Sequence, residues 1–255
     1  MTEERIGRLD RGDGIELVWA RLLGRAPTVV FLPGFKSDMN GSKALAVRDF
    51  CAERGQAMLR LDYSGHGESG GAFTDGSIGQ WCEDALRVIE ARTEGKLLLI
   101  GSSMGGWIAL LLALRLGARV SGTIGIAAAP DFTEDLMWQA MAAREREALL
   151  RDGKIETPSD YGEPYVITRH LIEEGRTHLL LGSPIPLTAP ARLLQGQQDP
   201  DVPWETALKL ASRLESADVQ TILIKDGDHR LSRPADLGLL TRTLATLLGD
   251  NGGEA

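Results

Sequence analysis

Two adjacent serines, Ser102 and Ser103, stand between two apolar runs, a position from which a hydroxyl group could act as a nucleophile. A nucleophilic serine is held on a sharp strand-to-helix turn, where the residues two before and two after it must be small. Gly101 and Gly105 occupy those positions around Ser103, whereas large side chains occupy them around Ser102. The G-x-S-x-G pattern therefore predicts Ser103 as the nucleophile and leaves Ser102 without an assigned role.

A serine nucleophile needs a base, and in a strand-turn-helix architecture the chain order is nucleophile, acid, histidine. His229 follows the apolar run VQTILIK late in the chain. We expect it to take the proton of Ser103 and to return it to the leaving group. The other histidines are His66, which precedes the serine, and His170 and His178, which fall between predicted strands. Packing or surface roles are predicted for these three.

The acid that orients the histidine is expected after the preceding strand. Asp199 stands three residues past the end of the run ARLLQG, and it is the predicted acid. Asp201 is the fallback, because it more naturally starts the next helix. Asp226 and Asp228 share the short loop of the histidine and would have to fold back on it.

Acyl transfer also needs N–H donors for the oxyanion of a tetrahedral intermediate. The backbone N–H of Met104 is one candidate, because it stands at the N-terminus of the helix that follows the turn. The second predicted donor is the backbone N–H of Phe35, in the loop after TVVFLPG. This choice depends on chain position, and the side chain is expected to matter little.

A rival pattern is the glycine series Gly65, Gly67 and Gly70, a G-x-G-x-x-G directly after the run AMLRLD. Such a fingerprint would predict a dinucleotide site if it opened a helix at once. Here GAFTDGS continues as loop, and no ribose-binding acid stands at the end of a following strand. The stretch instead predicts a glycine-rich loop beside the active site.

The uncharged stretch from Leu97 to Leu114 approaches the length of a membrane span. Glycines and the two serines lie at its midpoint, and the flanking sequence has the character of a soluble α/β protein. A buried strand that turns into a buried helix explains both the apolar flanks and the small residues between them, so no membrane span is predicted.

Short aliphatic runs alternate with amphipathic stretches, which predicts an α/β fold with a mostly parallel sheet and helices on both faces. The predicted strands are 28–34, 57–62, 97–102, 120–129, 191–196 and 219–225, with 15–21 as an antiparallel edge strand. The predicted helices are 42–54, 77–93, 104–116, 203–214 and 233–248.

Residues 130–190 interrupt this alternation, because they are far longer than a usual crossover. Their segments DLMWQAMAAREREALLRDG and YVITRHLIEEG carry helical periodicity. We therefore predict a small helical cap inserted before the penultimate strand, within a single domain that spans 1–255.

Composition limits the partners. The chain has 255 residues, 43% hydrophobic and 25% charged, with a net charge of −8, as in ordinary soluble globular proteins. An acidic chain without a basic stripe argues against nucleic acid or an anionic membrane surface as the main partner. The start MTEERIGRLD has no secretory or transit pattern, so a cytoplasmic location and no stable membrane insertion are predicted.

The cysteines and histidines give no sign of a metal site. Cys51 and Cys82 both fall in helical stretches and are predicted to be buried and reduced. The histidines show no ligand spacing, and no C-x-x-C motif accompanies them. We expect no metal and no cofactor.

Taken together, GSSMGG, the loop DYSGHGES, the late G-x-x-D and the last D-H resemble the serine hydrolases of the α/β-hydrolase superfamily. Over most of residues 28–240 the chain is similar to the palmitoyl-protein thioesterases of that superfamily and their bacterial relatives. The resemblance implies an α/β-hydrolase fold and cofactor-free hydrolysis of acyl thioesters or activated esters. Carried over, the nucleophile, acid and base fall on Ser103, Asp199 and His229.

The predicted function is thus a serine esterase or thioesterase that acts on a small-molecule or acylated-protein substrate. Two alternatives stay open: an amidase or peptidase, and a ligand-binding protein on a hydrolase fold with little turnover. The acyl chain length, the leaving group and the oligomeric state are not predicted.

Overall fold

Strands and helices alternate along most of the chain, and their bounds follow the aliphatic runs closely. The computed structural model describes residues 4–157 and 164–249. The strands are β1 (Arg5–Asp10), β2 (Glu16–Leu22), β3 (Arg25–Leu32), β4 (Gln56–Leu61), β5 (Leu97–Ser102), β6 (Val120–Ile126), β7 (Lys154–Thr157), β8 (Tyr165–Thr168), β9 (Ala191–Gly196) and β10 (Val219–Ile224). The helices are α1 (Ser42–Glu53), α2 (Ile78–Arg92), α3 (Met104–Leu116), α4 (Ala143–Asp152), α5 (Arg169–Gly175), α6 (Glu205–Arg213) and α7 (Pro234–Leu247).

Eight of these strands form one sheet in the order β1-β2-β4-β3-β5-β6-β9-β10. From β4 to β10 all neighbours are parallel, and β2 is antiparallel to both β1 and β4. The carboxyl ends of β5, β6, β9 and β10 therefore lie along one edge, where sheets of this kind place their sites. The α/β-hydrolase fold class is confirmed.

Helices cover both faces because alternate side chains of the central strands point to opposite sides. In β5, Leu97 and Leu99 pack into the core under α2 and α3, and Leu98 and Ile100 pack into the core under α1 and α7. All four are 0% exposed. A strand buried on both faces reads as an unbroken apolar run, which explains LLLI.

The uncharged stretch is therefore β5 followed by α3, as predicted. Within the described ranges, no helix is long and apolar enough to cross a membrane. Cys51 and Cys82 are free and buried on α1 and α2, and burial raises the pKa of their thiols to about 12 and about 11. Thiols in that state are poor nucleophiles.

Two strand predictions were wrong in detail. The strand at 15–21 is present as β2 but is not the edge, because β1 pairs outside it. The sequence RIGRLD of β1 has no apolar run, since both faces of this edge strand are largely exposed. The strand that starts at Val120 ends at Ile126 and not at 129, because Ala127 adopts a positive φ of 45°.

Between β6 and β9 the chain forms a π-helical turn (Thr133–Trp138), α4, the antiparallel pair β7 and β8, and α5. The helical prediction for the segment that begins at Tyr165 was wrong over Tyr165–Thr168, where the β-branched residues form β8. We call residues 130–190 the insertion. Its own small core consists of Leu149, Ile167 and Ile172.

Polar contacts join the two ends of the insertion and tie the insertion to helix α2. The Asp131 carboxylate accepts the N–H groups of Leu180 and Leu181, both at 2.8 Å, so it joins the first and last parts of the insertion. The Glu174 carboxylate accepts the Gly79 N–H at the start of α2.

Candidate active site

Ser103 lies on the turn between β5 and α3. Its φ is 53°, in the left-handed region that costs a non-glycine residue energy. Hydrogen bonds on both sides hold this conformation: the Ser103 N–H donates to the Ile126 carbonyl at 2.9 Å, and the Ser103 carbonyl accepts the Gly106 and Ala129 N–H groups at 2.9 and 3.1 Å. The backbone is thus fixed in a strained turn.

The flanking glycines allow that turn to pack. A Cβ on Gly101 would lie 2.1 Å from the Gly105 carbonyl oxygen, and a Cβ on Gly105 would lie 2.1 Å from the Leu32 carbonyl oxygen. No side chain fits at those distances. Ser102, in contrast, is the last residue of β5 and is only 7% exposed. The steric demand inferred from the G-x-S-x-G pattern is present around Ser103.

The predicted base and acid come together with this serine. The His229 Nε2 lies 3.1 Å from the Ser103 Oγ, and the His229 Nδ1 lies 2.8 Å from the Asp199 Oδ2. These are hydrogen-bond distances, so the three side chains form one continuous relay. The residues come from the carboxyl ends of β5, β9 and β10, which are distant in sequence and adjacent at one edge.

The side chain of Asp199 is 0% exposed and accepts several hydrogen bonds. Its Oδ1 accepts the N–H groups of Asp201 and Val202 at 2.9 and 2.8 Å, and its Oδ2 also accepts the Gln195 side-chain amide at 3.0 Å. Burial alone would raise the pKa of Asp199. The hydrogen bond and charge of His229, together with the two N–H groups, outweigh burial and lower that pKa, so the carboxylate stays ionised.

The other candidate acids serve elsewhere. Asp201 is exposed and gives its own N–H to Asp199. Asp226 pairs with Arg233, and the Asp228 carboxylate accepts the Leu231 N–H within the same loop. The His229 Nδ1 is hydrogen-bonded to Asp199.

The remaining histidines lie outside the relay. His66 is 3% exposed among aromatic rings, and burial lowers its pKa to about 4. His170 is exposed, and His178 pairs with Glu174 at 2.6 Å.

The two predicted oxyanion donors border the serine. Met104 is the first residue of α3, so its N–H has no intrahelical acceptor. Within the described residues no backbone acceptor for the Phe35 N–H is found either. The loop that carries Phe35 touches the turn, since a Cβ on Gly34 would lie 3.4 Å from the Ser103 Cβ.

The glycine-rich loop after β4 is held by two buried carboxylates. The Asp62 carboxylate accepts the Met39 and Glu68 N–H groups at 2.7 and 3.0 Å. The Asp84 carboxylate accepts the Ser64 N–H and hydroxyl at 2.9 and 2.5 Å. These bonds tie the loop to its neighbours, and no helix begins at its glycines, which argues against a dinucleotide fingerprint.

A cleft of about 560 Å³ opens over the relay. Its lining includes the apolar side chains of Phe35, Phe132, Leu136, Met137 and Tyr165, which we call the apolar wall. Its polar and charged side chains include those of Lys36, Ser37, Asp38, Lys43 and Arg230. Ser103 and His229 belong to the same lining.

A metal could in principle use part of the same relay. Asp199, Asp201 and His229 offer ligand atoms within 4.8 Å of one another. Two of the three already hydrogen-bond to each other in the relay, and an ion there would compete with that bond.

Three contributors to the site were missed at the sequence level. Gln195 is 0% exposed on β9 and donates to Asp199 and to the Val202 carbonyl. A polar residue at the carboxyl end of the run ARLLQG, four positions before Asp199, was the available signal. The Lys43 ammonium donates to the Arg230 carbonyl beside His229, and nothing in its helix indicated this contact. The third contributor is the group of aromatic rings that contact the Phe35 side chain.

Known proteins match this chain over most of its length. The family model described as "Serine aminopeptidase, S33" matches residues 25–170. The chain is 40% identical to the mouse protein named palmitoyl-protein thioesterase ABHD10, mitochondrial, over 242 residues that cover 94% of this chain and 81% of the relative.

Two solved structures are similar as well. A putative hydrolase from Agrobacterium vitis S4 has a TM-score of 0.91 and 42% identity, covering 97% of this chain and 99% of the other. The mouse alpha/beta hydrolase domain-containing protein 10 has a TM-score of 0.90 and 39% identity, covering 96% and 99%. Both agree with the fold described above over nearly its full length.

Proposed function

Because this chain belongs to the serine aminopeptidase S33 family of α/β-hydrolases, we propose that it is a serine hydrolase that cleaves acyl thioesters or carboxylic esters through Ser103, His229 and Asp199. The observation that carries the proposal is the unbroken hydrogen-bonded relay from Ser103 through His229 to Asp199 at the base of the cleft.

In the acylation half-reaction, the Ser103 Oγ attacks the carbonyl carbon of the substrate while the His229 Nε2 takes its proton. The negative charge that develops on the carbonyl oxygen is stabilised by the backbone N–H groups of Phe35 and Met104. Asp199 stays ionised, holds the His229 Nδ1–H and stabilises the imidazolium. Collapse of the tetrahedral intermediate breaks the bond to sulfur or oxygen, and His229 gives its proton to the leaving group.

Deacylation repeats these steps with water. His229 takes a proton from a water molecule, and the resulting hydroxide attacks the acyl carbon bound to the Ser103 Oγ. The second tetrahedral intermediate collapses to a carboxylic acid, and the proton on His229 returns to the Ser103 Oγ. Atoms balance without a cofactor, so the residues of this chain suffice for the reaction.

The choice of thioesters and esters over peptides draws on the cleft and on the relatives. An aminopeptidase needs anionic groups for the free amino group of its substrate. In the cleft, Asp38 and Asp201 are outnumbered by Lys36, Lys43 and Arg230. Relatives with about 40% identity over nearly the whole chain are named thioesterases. We propose an acyl compound, either a small molecule or an acylated protein, as the substrate class.

The two serines provide the test. A fluorophosphonate probe should label the wild-type protein and the Ser102→Ala variant, and it should not label Ser103→Ala. A panel of acyl thioesters, oxygen esters and aminoacyl amides, with Ser103→Ala as the blank, then ranks the reactions. Labelling of Ser103→Ala would contradict the assignment of the nucleophile. Faster turnover of the amides would favour a peptidase, and no turnover of any substrate by the folded protein would favour a ligand-binding role.

The cytoplasmic location stays a prediction, and cell fractionation tests it. The mammalian relatives carry the word mitochondrial in their names.

A further inference from the structure

The Phe35 side chain is surrounded by other aromatic rings. Its ring centroid lies 4.9 Å from that of Phe73, 6.0 Å from Trp81, 5.7 Å from Phe132 and 5.8 Å from Tyr165. All four pairs are edge-to-face, with interplanar angles of 67° to 84°. Such pairs have preferred geometries and stabilise beyond their buried area, so the ring has one favoured position.

These partners come from separate parts of the fold. Phe73 and Trp81 belong to the glycine-rich loop and to α2, which pack on the sheet. Phe132 and Tyr165 belong to the insertion, and Tyr165 lies on β8. Phe35 packs against the main core and also against the small core of the insertion. The ring therefore bridges the sheet and the insertion.

The backbone of Phe35 follows its ring closely because the loop has little freedom. Lys36, the next residue, has a positive φ of 53°. The Ser37 N–H donates to the Gly34 carbonyl at 3.1 Å and closes the turn around Phe35. A Cβ on Gly34 would lie 3.2 Å from the Ser102 carbonyl oxygen, so the loop packs closely against the residue before the nucleophile. A displaced ring would consequently tilt the Phe35 N–H.

The apolar wall of the cleft uses the same side chains. Phe132, Leu136 and Tyr165 line the cleft beside Phe35. The Lys36 ammonium covers the outer side of this group, 5.4 Å from the Phe73 ring centroid and 5.1 Å from that of Tyr165. An acyl chain on this wall would touch the rings that hold Phe35 in place.

We propose that Phe35 is a positioning residue. Its ring is held between the sheet and the insertion and aligns the backbone N–H of Phe35 with the oxyanion. The same ring contacts link this alignment to an acyl chain that lies on the apolar wall of the cleft. The inference rests on the proposed hydrolase function and adds a role for a side chain where only the backbone takes part in the chemistry. Acyl chains that are long enough to reach the rings are hydrolysed with a higher kcat than short acyl chains, which do not contact the rings.

The first test is Phe35→Leu, with Phe50→Leu as the matched control. Phe50 is a buried phenylalanine on α1, 7% exposed, in the core on the opposite face of the sheet. Loss of one oxyanion donor costs about 10²–10³ in kcat, and a misplacement of 1 Å costs about 10², so we expect Phe35→Leu to lower kcat about 10- to 100-fold for long acyl chains. Phe50→Leu lowers the melting temperature and leaves kcat within about threefold, because Phe50 is not among the residues that line the cleft.

Two inhibitors with one acyl chain distinguish positioning from simple loss of contact. An alkyl trifluoromethyl ketone forms an oxyanion when the serine adds to it, and the corresponding secondary alcohol cannot. We expect Phe35→Leu to weaken binding of the ketone by the same factor by which it lowers kcat/KM. Binding of the alcohol should weaken by less than about threefold. Equal weakening of both inhibitors, or a change in KM alone, would overturn the inference.

A second pair of variants tests the ring contact on the side of the insertion, and it is used if Phe35→Leu does not fold. Tyr165→Leu removes a ring, and Tyr165→Phe keeps it. The kcat for long acyl chains should fall in Tyr165→Leu and recover in Tyr165→Phe; equal loss in both would contradict the ring contact.

If the wild-type protein hydrolyses no acyl substrate and the probe does not label Ser103, the proposed function fails and this inference with it. If the wild type is active and labelled but the two inhibitors respond alike, this inference alone fails.

Discussion

The turn that carries Ser103 and the insertion that lines the cleft are built in opposite ways. Around Ser103, backbone approaches backbone so closely that a Cβ on Gly105 would lie 2.1 Å from a carbonyl oxygen. In the insertion, a Cβ on Gly182 would meet nothing within 4 Å, and a Cβ on Gly175 would lie 2.4 Å from the side-chain oxygen of Thr133 and not from backbone. The turn joins β5 and α3, whose buried residues lie in the large cores of the sheet, whereas α4 and β8 of the insertion pack around a separate cluster of three buried aliphatic residues.

This difference assigns separate tasks to the two regions. The relay at the strand ends must hold hydrogen bonds at fixed distances, and a rigid sheet edge supplies that. The cleft wall must accommodate an acyl chain, and short elements with a small core can adjust at low cost. We therefore expect changes near the turn to abolish folding or chemistry, and changes in the insertion to alter selectivity and local stability.

The largest contrast is expected between two glycine-to-alanine substitutions. Gly105→Ala places a Cβ against the Leu32 and Pro33 carbonyl oxygens, at 2.1 and 2.5 Å, and backbone must move to accept it. We expect a loss of more than about 4 kcal/mol in the free energy of unfolding, or no soluble protein at all. Gly182→Ala should change that free energy by less than about 1 kcal/mol, because its site is open and its φ is not positive.

Urea unfolding followed by circular dichroism measures both variants. Comparable losses in the two would show that the turn is no more constrained than the insertion.

Asp199→Asn should have the next largest effect, and that effect should be chiefly on catalysis. An amide in place of the carboxylate can no longer hold the His229 Nδ1–H and favours the wrong tautomer, which costs about 10⁴ in kcat in a triad of this type. Asp201→Asn keeps the backbone N–H that Asp199 accepts and should cost less than about tenfold. Steady-state hydrolysis of one ester by both variants checks the ranking, and a greater loss in Asp201→Asn would reverse the assignment of the acid.

A matched leucine pair probes packing in the two regions. Leu99 in β5 and Leu149 in α4 are both 0% exposed. Leu99→Ala leaves a cavity in the main core and should cost about 2–5 kcal/mol of the free energy of unfolding. Leu149→Ala should cost less in global unfolding, since its small core with Ile167 and Ile172 can open locally.

Hydrogen exchange separates the two outcomes. In Leu149→Ala, faster amide exchange should be limited to α4, α5 and the β7–β8 pair. If exchange accelerates equally in β5, the insertion does not open independently.

The sequence predicts the rigid region far better than the insertion. The bounds 97–102 and 104–116 agree with β5 and α3, because a strand buried on both faces and an apolar helix leave unbroken runs in the sequence. The relay residues could be chosen in advance because the G-x-S-x-G pattern fixes one of them and chain order limits the others. Each choice depended on backbone constraints that are local in sequence.

The insertion and the edge lack such local constraints. Tyr165–Thr168 forms a strand by pairing with Lys154–Thr157, and neither short segment by itself specifies that pairing. The role of the Phe35 ring was missed for a similar reason, since its partners lie 38 to 130 positions away. Contacts between distant segments decide these features.

The smallest expected effect concerns two buried carboxylates, one in each region. Burial raises the pKa of both, yet the pKa of Asp199 is lowered overall because His229 adds a hydrogen bond and a charge. Burial of Asp131 outweighs the N–H groups of Leu180 and Leu181, and the charge of Asp135 adds to the effect of burial, so the pKa of Asp131 stays raised. The same fold thus shifts two aspartates in opposite directions.

Opposite shifts predict opposite pH dependence. The stabilisation from Asp199 is fully present above the ordinary pKa of 3.8 and is lost as the pH falls through the lower folded value. The folded protein binds the proton of Asp131 more tightly than the unfolded chain does, so the contribution of Asp131 to stability declines as the pH rises from 3.8 to the raised folded value.

We would measure the free energy of unfolding in urea from about pH 3 to pH 6. The difference between wild type and Asp199→Asn should shrink towards low pH, and the difference between wild type and Asp131→Asn should grow. If both differences moved in the same direction, the charge of His229 would not be what separates the two carboxylates.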